Sequence, residues 1–198
     1  GSTTDPSVIK ESVHHFYKFV SGSVLTRPGW YFDDKQQGAG IVDVTTHLVD
    51  LIQWSCFPEK TIDYKKHIQI LNAKEWATAL TQDEFKAVTK SEVVPSFLTR
   101  SIDQQGNIQV NSNGEFTFSI NGTHAKVAVT WNYKAPDGTG DTHYSLMRGT
   151  KSALIIRQGA VEKYKPTLYI QQRDQDPSFE TKLNVAISKI NEIFPGIS

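Results

Sequence analysis

Gly38-Ala39-Gly40-Ile41-Val42-Asp43-Val44-Thr45-Thr46-His47-Leu48-Val49-Asp50-Leu51-Ile52-Gln53-Trp54 is the most informative stretch of the chain. After a flexible glycine-containing approach, apolar residues fall at Ile41, Val44, Leu48, Leu51, Ile52 and Trp54. That spacing is helical, and it stops before Pro58, whose ring cannot continue a helix. Asp43 and His47 stand four residues apart, so on a helix they project from one face about one turn from each other. An imidazole titrates near neutrality and so gives and takes protons, while a nearby carboxylate orients the ring or shares a substrate hydroxyl. The same spacing also suits an ordinary surface ion pair, a satisfied core histidine, or two ligands of a metal.

Upstream, Ser21 to Gly29 carries Gly22, Pro28 and Gly29 and reads as a loop leading into the aromatic cluster Trp30, Tyr31 and Phe32. Trp30 and Tyr31 offer faces that stack on a sugar ring or pack beneath a loop, and Arg27 suits either an anionic substrate group or solvent. Before the loop, Ser12 to Val20 is rich in aromatic and β-branched residues and is expected to form a strand. His14 and His15 then point to opposite faces, which excludes a joint metal site.

Downstream, Ile62 to Leu71 alternates apolar and polar residues as a half-buried strand does, and Thr81 with Glu84 forms a capping box opening a short helix to Val88. The second half is a series of extended runs at Asn107–Val110, Glu115–Ile120, Thr123–Tyr133, Thr142–Arg148, Ala153–Gln158 and Thr167–Gln171. Asn113-Gly114, Asn121-Gly122 and Asp137-Gly138 supply turn signals that favour antiparallel neighbours. A last helix from about Asp176 carries an apolar stripe of Leu183, Ile187, Ile190 and Ile193. The expected fold class is α+β: a largely antiparallel open sheet with helices packed on one face.

The 198 residues, 38% of them hydrophobic, suffice for one core without metal or disulfide staples. Equal numbers of basic and acidic residues, 21 each, argue against a nucleic acid or anionic membrane as partner. No apolar run approaches the roughly 20 residues needed to span a bilayer. Cys56 is the only cysteine, which rules out an internal disulfide and fits a reducing compartment, favouring the cytoplasm without fixing it. Gly1-Ser2 resembles the remnant of a cleaved tag, so residues 1–11 read as remnant and leader and residues 12–198 as a single domain.

The Gly38–Trp54 segment resembles the signature helix in the second domain of the glucose-fructose oxidoreductase, inositol dehydrogenase and rhizopine-catabolism (Gfo/Idh/MocA) family, whose hallmark is D-x-x-x-H after a glycine pair. Arg27 to Phe32 and Gly140-Asp141-Thr142-His143-Tyr144 look like a branch of that family described as oxidoreductase C-terminal domains. The resemblance implies an N-terminal Rossmann domain that binds NAD or NADP, lying outside this chain, and a C-terminal domain that supplies the sugar or polyol site. It implies that His47 carries acid/base chemistry or holds the reacting hydroxyl, and that Asp43 binds and orients the substrate. Trp30, Tyr31, Arg27 and His143 are the further substrate-binding candidates, although alternation along Thr142–Arg148 equally allows His143 a sheet-packed or solvent-facing place.

Hydride transfer needs a strand, glycine turn and helix to hold a dinucleotide, and this chain has none. Gly138-Thr139-Gly140 follows Pro136 between expected strands and reads as a hairpin loop. The family's lysine, in a Glu-Lys-Pro-like motif, has no match: Pro58-Glu59-Lys60 has the wrong order and Lys165-Pro166 lacks the glutamate. The expectation is therefore a substrate-side domain with no cofactor of its own, inactive alone and paired into a homodimer through the open sheet face. Two rival readings are a non-catalytic carbohydrate-binding or scaffolding module and a metal-assisted hydrolase or isomerase.

Overall fold

The computed structural model describes residues 1–196. A seven-stranded sheet organises the chain in the order β4-β5-β6-β1-β7-β8-β9. Its strands are β1 (Val8–Tyr17), β4 (Ile68–Leu80), β5 (Ile108–Ile120), β6 (Thr123–Lys134), β7 (Thr142–Arg148), β8 (Ser152–Gln158) and β9 (Thr167–Gln172). Two short strands, β2 (Phe19–Val20) and β3 (Ser23–Val24), make a separate hairpin, and a single helical turn, α1 (Asp34–Gln37), leads to Gly38. Every neighbouring pair in the large sheet is antiparallel except β1 with β6. The fold is thus mixed α+β with a mostly antiparallel sheet, as the strand and turn pattern implies.

Alternation along β1 and β6 divides the two faces. Val8 and Phe16 of β1, with Val127, Val129 and Trp131 of β6, face the main core. Against them pack Leu48 and Ile52 of α2 (Val44–Cys56) and Phe85 and Val88 of α4 (Gln82–Thr89). Each such buried side chain contributes about 1.5–3 kcal/mol. The opposite face has a smaller cluster of Leu146, Ala153 and Ile155 with Ile9 and Tyr144. Beside it runs a row of ion pairs, Lys74 to Glu115 at 3.2 Å, Glu115 to Lys126 at 3.4 Å and Lys126 to Glu11 at 3.1 Å.

The glycines before α2 have a steric reason. Gly38 has φ +85°, and a Cβ on Gly40 would sit 2.0 Å from the carbonyl oxygen of Ser112 on β5. A Cβ on Gly114 of β5 would in turn meet Ile41 at 2.7 Å. The 3-10 turn Gly40–Val42 therefore lies directly on the β5 backbone, which fixes where α2 begins.

Several expectations need correction. The strand read from Ser12 begins at Val8, so residues 8–11, read as leader, belong to the central strand. The strand read from Ile62 begins at Ile68, because Asp63 caps a single helical turn, α3 (Tyr64–His67), ahead of it. Asn113-Gly114 is no turn but the middle of β5. Buried Asn113 donates to the Trp76 carbonyl at 3.0 Å and to Thr78 at 2.8 Å, and accepts from the Trp131 amide at 2.6 Å, bridging a bulge in β4. Asp137-Gly138 joins β6 and β7, which are not neighbours, since β1 lies between them. Leu51 and Trp54 point outward from α2, Trp54 being 74% exposed. The last helix, α5 (Phe179–Ile193), has no buried residue among those described, so its apolar stripe is uncovered by this chain.

Candidate active site

Asp43 is the residue that caps α2 rather than one within it. Its carboxylate accepts a hydrogen bond from the Tyr31 hydroxyl at 3.0 Å. Tyr31 belongs to the 3-10 turn Gly29–Phe32, held by Phe32, which is buried against Phe16 and Phe85. Burial pushes the Tyr31 phenol far above its ordinary value; the Arg27 cation opposes this and the Asp43 charge and hydrogen bond add to it, so the phenol stays protonated and donates. Asp43, Tyr31 and Trp131 line a cavity of about 20 Å³, room for about one water.

His47 sits one turn along α2, exposed, and its side chain makes no hydrogen bond or ion pair among the described residues. The two motif residues thus share the start of one helix but do not touch. Asp43 looks inward to the aromatic wall, and His47 looks outward to solvent. Arg27 stands over the Tyr31 ring, 4.5 Å from its centroid, and 4.9 Å from that of Trp131. Trp30 turns away and is 48% exposed. His143 lies apart on β7, opposite Ser12 of β1, lining a separate hollow with Tyr144, Arg157 and Glu162. Burial pulls its pKa down, with Lys10 and His14 adding to the effect.

Sequence reasoning missed the strongest polar cluster. Asp141 binds the Nδ1 atoms of His14 at 3.3 Å and His15 at 2.9 Å and the Lys18 ammonium at 2.6 Å. Adjacent histidines on opposite faces share one carboxylate, because Asp141 lies just beyond the end of β7, beside the stretch of β1 that carries both. His14 also meets the Ser12 hydroxyl through Nε2 at 2.9 Å and stacks on Trp131 at 4.8 Å. These contacts outweigh burial and hold the Asp141 carboxyl far below the usual carboxylate range. Lys10, read as leader, is buried on the sheet and donates to Ser145 at 2.8 Å. No cluster of three or more His, Cys, Asp or Glu that could hold a metal occurs among the described residues.

All of residues 1–198 match the family described as "Putative oxidoreductase C terminal domain". The chain belongs to this oxidoreductase C-terminal domain family. Among solved structures it is similar to a "putative oxidoreductase" from Parabacteroides merdae, with 44% identity and a TM-score of 0.96 over 100% of this chain and 45% of that one. A "putative oxidoreductase" from Erwinia carotovora atroseptica gives 13% identity and a TM-score of 0.49 over 83% of this chain and 39% of that one. A levoglucosan dehydrogenase in complex with NADH and levoglucosan gives 13% identity and a TM-score of 0.39 over 84% of this chain and 39% of that one. Likeness at these two lower levels carries no functional weight. None of the curated proteins matches the chain significantly.

This oxidoreductase C-terminal domain spans less than half of the Parabacteroides merdae protein. Its described residues do not fit a dinucleotide. The one parallel strand pair, β1 with β6, has no glycine turn running into a helix, and Gly138-Thr139-Gly140 lies in the loop between β6 and β7.

Proposed function

We propose that this chain is the substrate-binding domain of an NAD- or NADP-dependent oxidoreductase acting on a sugar, polyol or related hydroxylated compound. The observation that carries this reading is the arrangement at the start of α2. Asp43 is held in place by Tyr31 and Gly40 but keeps free acceptor capacity, while His47, one turn on, is accessible and its side chain has no partner among the described residues. In this role Asp43 accepts a substrate hydroxyl and fixes the ring's orientation, and His47 manages the proton of the reacting hydroxyl. Tyr31 holds the Asp43 carboxylate and carries Arg27 over its ring, whereas Trp30, exposed and turned away, takes no part in this assignment. The nicotinamide would be held by residues outside this chain. His143, in its separate hollow, takes no part in this assignment.

The test is a His47→Ala substitution in the full-length parent. Turnover should fall by about 10²–10⁴-fold, the usual contribution of a positioned acid/base group, with nicotinamide binding unchanged. Unaltered turnover rejects the assignment. A homodimer through the helix-free face belongs to the same proposal, supported by the alternating charge row from Lys74 to Glu11 and the half-exposed Tyr169 on that face. Sedimentation equilibrium of the parent protein should give a dimer that weakens on Lys126→Glu substitution; a monomer at all concentrations refutes it.

A further inference from the structure

We propose that the hollow between the β2–β3 hairpin and the β6–β7 loop is a second binding site, in which His15 Nε2 accepts a hydroxyl of a neutral sugar or cyclic polyol. It is independent of the reading of Asp43 and His47. The hollow has a volume of about 420 Å³, within the roughly 300–1,000 Å³ usual for small-molecule sites, against about 20 Å³ beside Asp43. Strand β1 contributes His15 and Tyr17 to its wall, the hairpin Phe19, and the loop Pro136 and Asp141.

His15 is only 5% exposed, and its own chain orients its ring. The ionised Asp141 can only accept hydrogen bonds, so Nδ1 of both His14 and His15 is the donor to it. In a neutral imidazole the other nitrogen is then an acceptor. That of His14 is used, by the Ser12 hydroxyl at 2.9 Å. That of His15 has no partner among the described residues, yet it is not sealed from solvent as Arg27 Nε and Thr45 Oγ1 are. A carboxylate that fixes one imidazole nitrogen leaves the other aimed at a ligand, so Asp141 is the positioning residue and His15 the contact. With no cluster fit for a metal among the described residues, an O–H donor suits this acceptor.

The charges of the hollow are already matched. Lys18 meets Asp141 at 2.6 Å and Lys134 meets Asp137 at 3.0 Å, which leaves neither lysine to attract an acid or a phosphate. Phe19, 64% exposed and edge-on to Tyr17 at 6.0 Å, offers an aromatic surface at the rim for the C–H face of a ring. A neutral hydroxylated ring satisfies both features.

Nuclear magnetic resonance of the histidine rings in the 198-residue chain tests this, with glucose and myo-inositol as neutral probes and glucuronate as a charged one. A neutral probe should shift the His15 ring signals. His15→Asn, which keeps a donor towards Asp141 but lacks Nε2, should weaken its binding about 2–10-fold, the worth of one hydrogen bond. Should that variant misfold, Phe19→Ala at the exposed rim serves, with a similar loss expected from the missing ring. Unmoved His15 signals with every probe overturn the site, as does unchanged affinity in the variants. Movement of the His47 signals alone also overturns it, placing the sugar beside Asp43 and leaving that reading standing. Tighter binding of glucuronate than of glucose overturns the neutral ligand.

Discussion

Asp43 and Asp141 are both half-buried carboxylates at the ends of regular elements, yet their bonding differs. Asp141 is met by His14, His15 and Lys18, which take up most of the roughly four acceptor positions a carboxylate has. Among the described residues Asp43 has one side-chain partner, the Tyr31 hydroxyl, whose ring also lies under Arg27. A carboxylate saturated by its own chain is a structural clamp. One with a single neutral donor retains capacity for a ligand.

The contrast is broken most severely at Asp141. Asp141→Ala should cost about 2–4 kcal/mol, because it strands a partly buried ammonium and two imidazole donors, the lower half of the range reflecting partial exposure. Urea unfolding at neutral pH measures it. The pH dependence follows from the direction of the shift. The folded carboxyl lies below its unfolded value, so its stabilisation is complete above the unfolded value of about 3.9 and is lost as pH falls through the folded one. The acid-unfolding curve of Asp141→Ala should accordingly be flatter below about pH 4 than that of the unsubstituted chain. Equal slopes would show that Asp141 is not a clamp.

How legible each carboxylate was in the sequence differs for a physical reason. Asp43 sits in a local pattern: a glycine approach, a helical spacing and a histidine one turn on, all set by neighbours in the chain. The capping box of Thr81 and Glu84 was readable on the same ground, and both of its hydrogen bonds form. Asp141 finds its partners more than a hundred residues away, through the insertion of β1 between β6 and β7, which no local period announces. Asn113-Gly114 misled in a related way. The dipeptide has turn chemistry, but a bulge in β4 gave the asparagine side chain backbone groups to bond, and Ile41 needed the space above the glycine. Likewise Lys10 is hidden by a partner on β7, Ser145, that only the sheet order supplies.

The smallest expected effect is at Tyr31, and it sharpens the comparison from the other side. Tyr31→Phe keeps the ring under Arg27 and against Phe32 and removes only the hydroxyl that donates to Asp43. A single hydrogen bond of this kind contributes about 0.5–1.5 kcal/mol, and Asp43 borders a cavity large enough to admit a replacing water. The loss in urea unfolding should therefore stay near or below about 1 kcal/mol, well under that of Asp141→Ala. The near-ultraviolet circular dichroism of Trp131 should be unchanged, since its stacking on Phe16 and His14 does not involve the hydroxyl. A loss as large as that at Asp141 would mean that Asp43 is itself a clamp held through Tyr31, and its acceptor capacity would no longer point to a ligand.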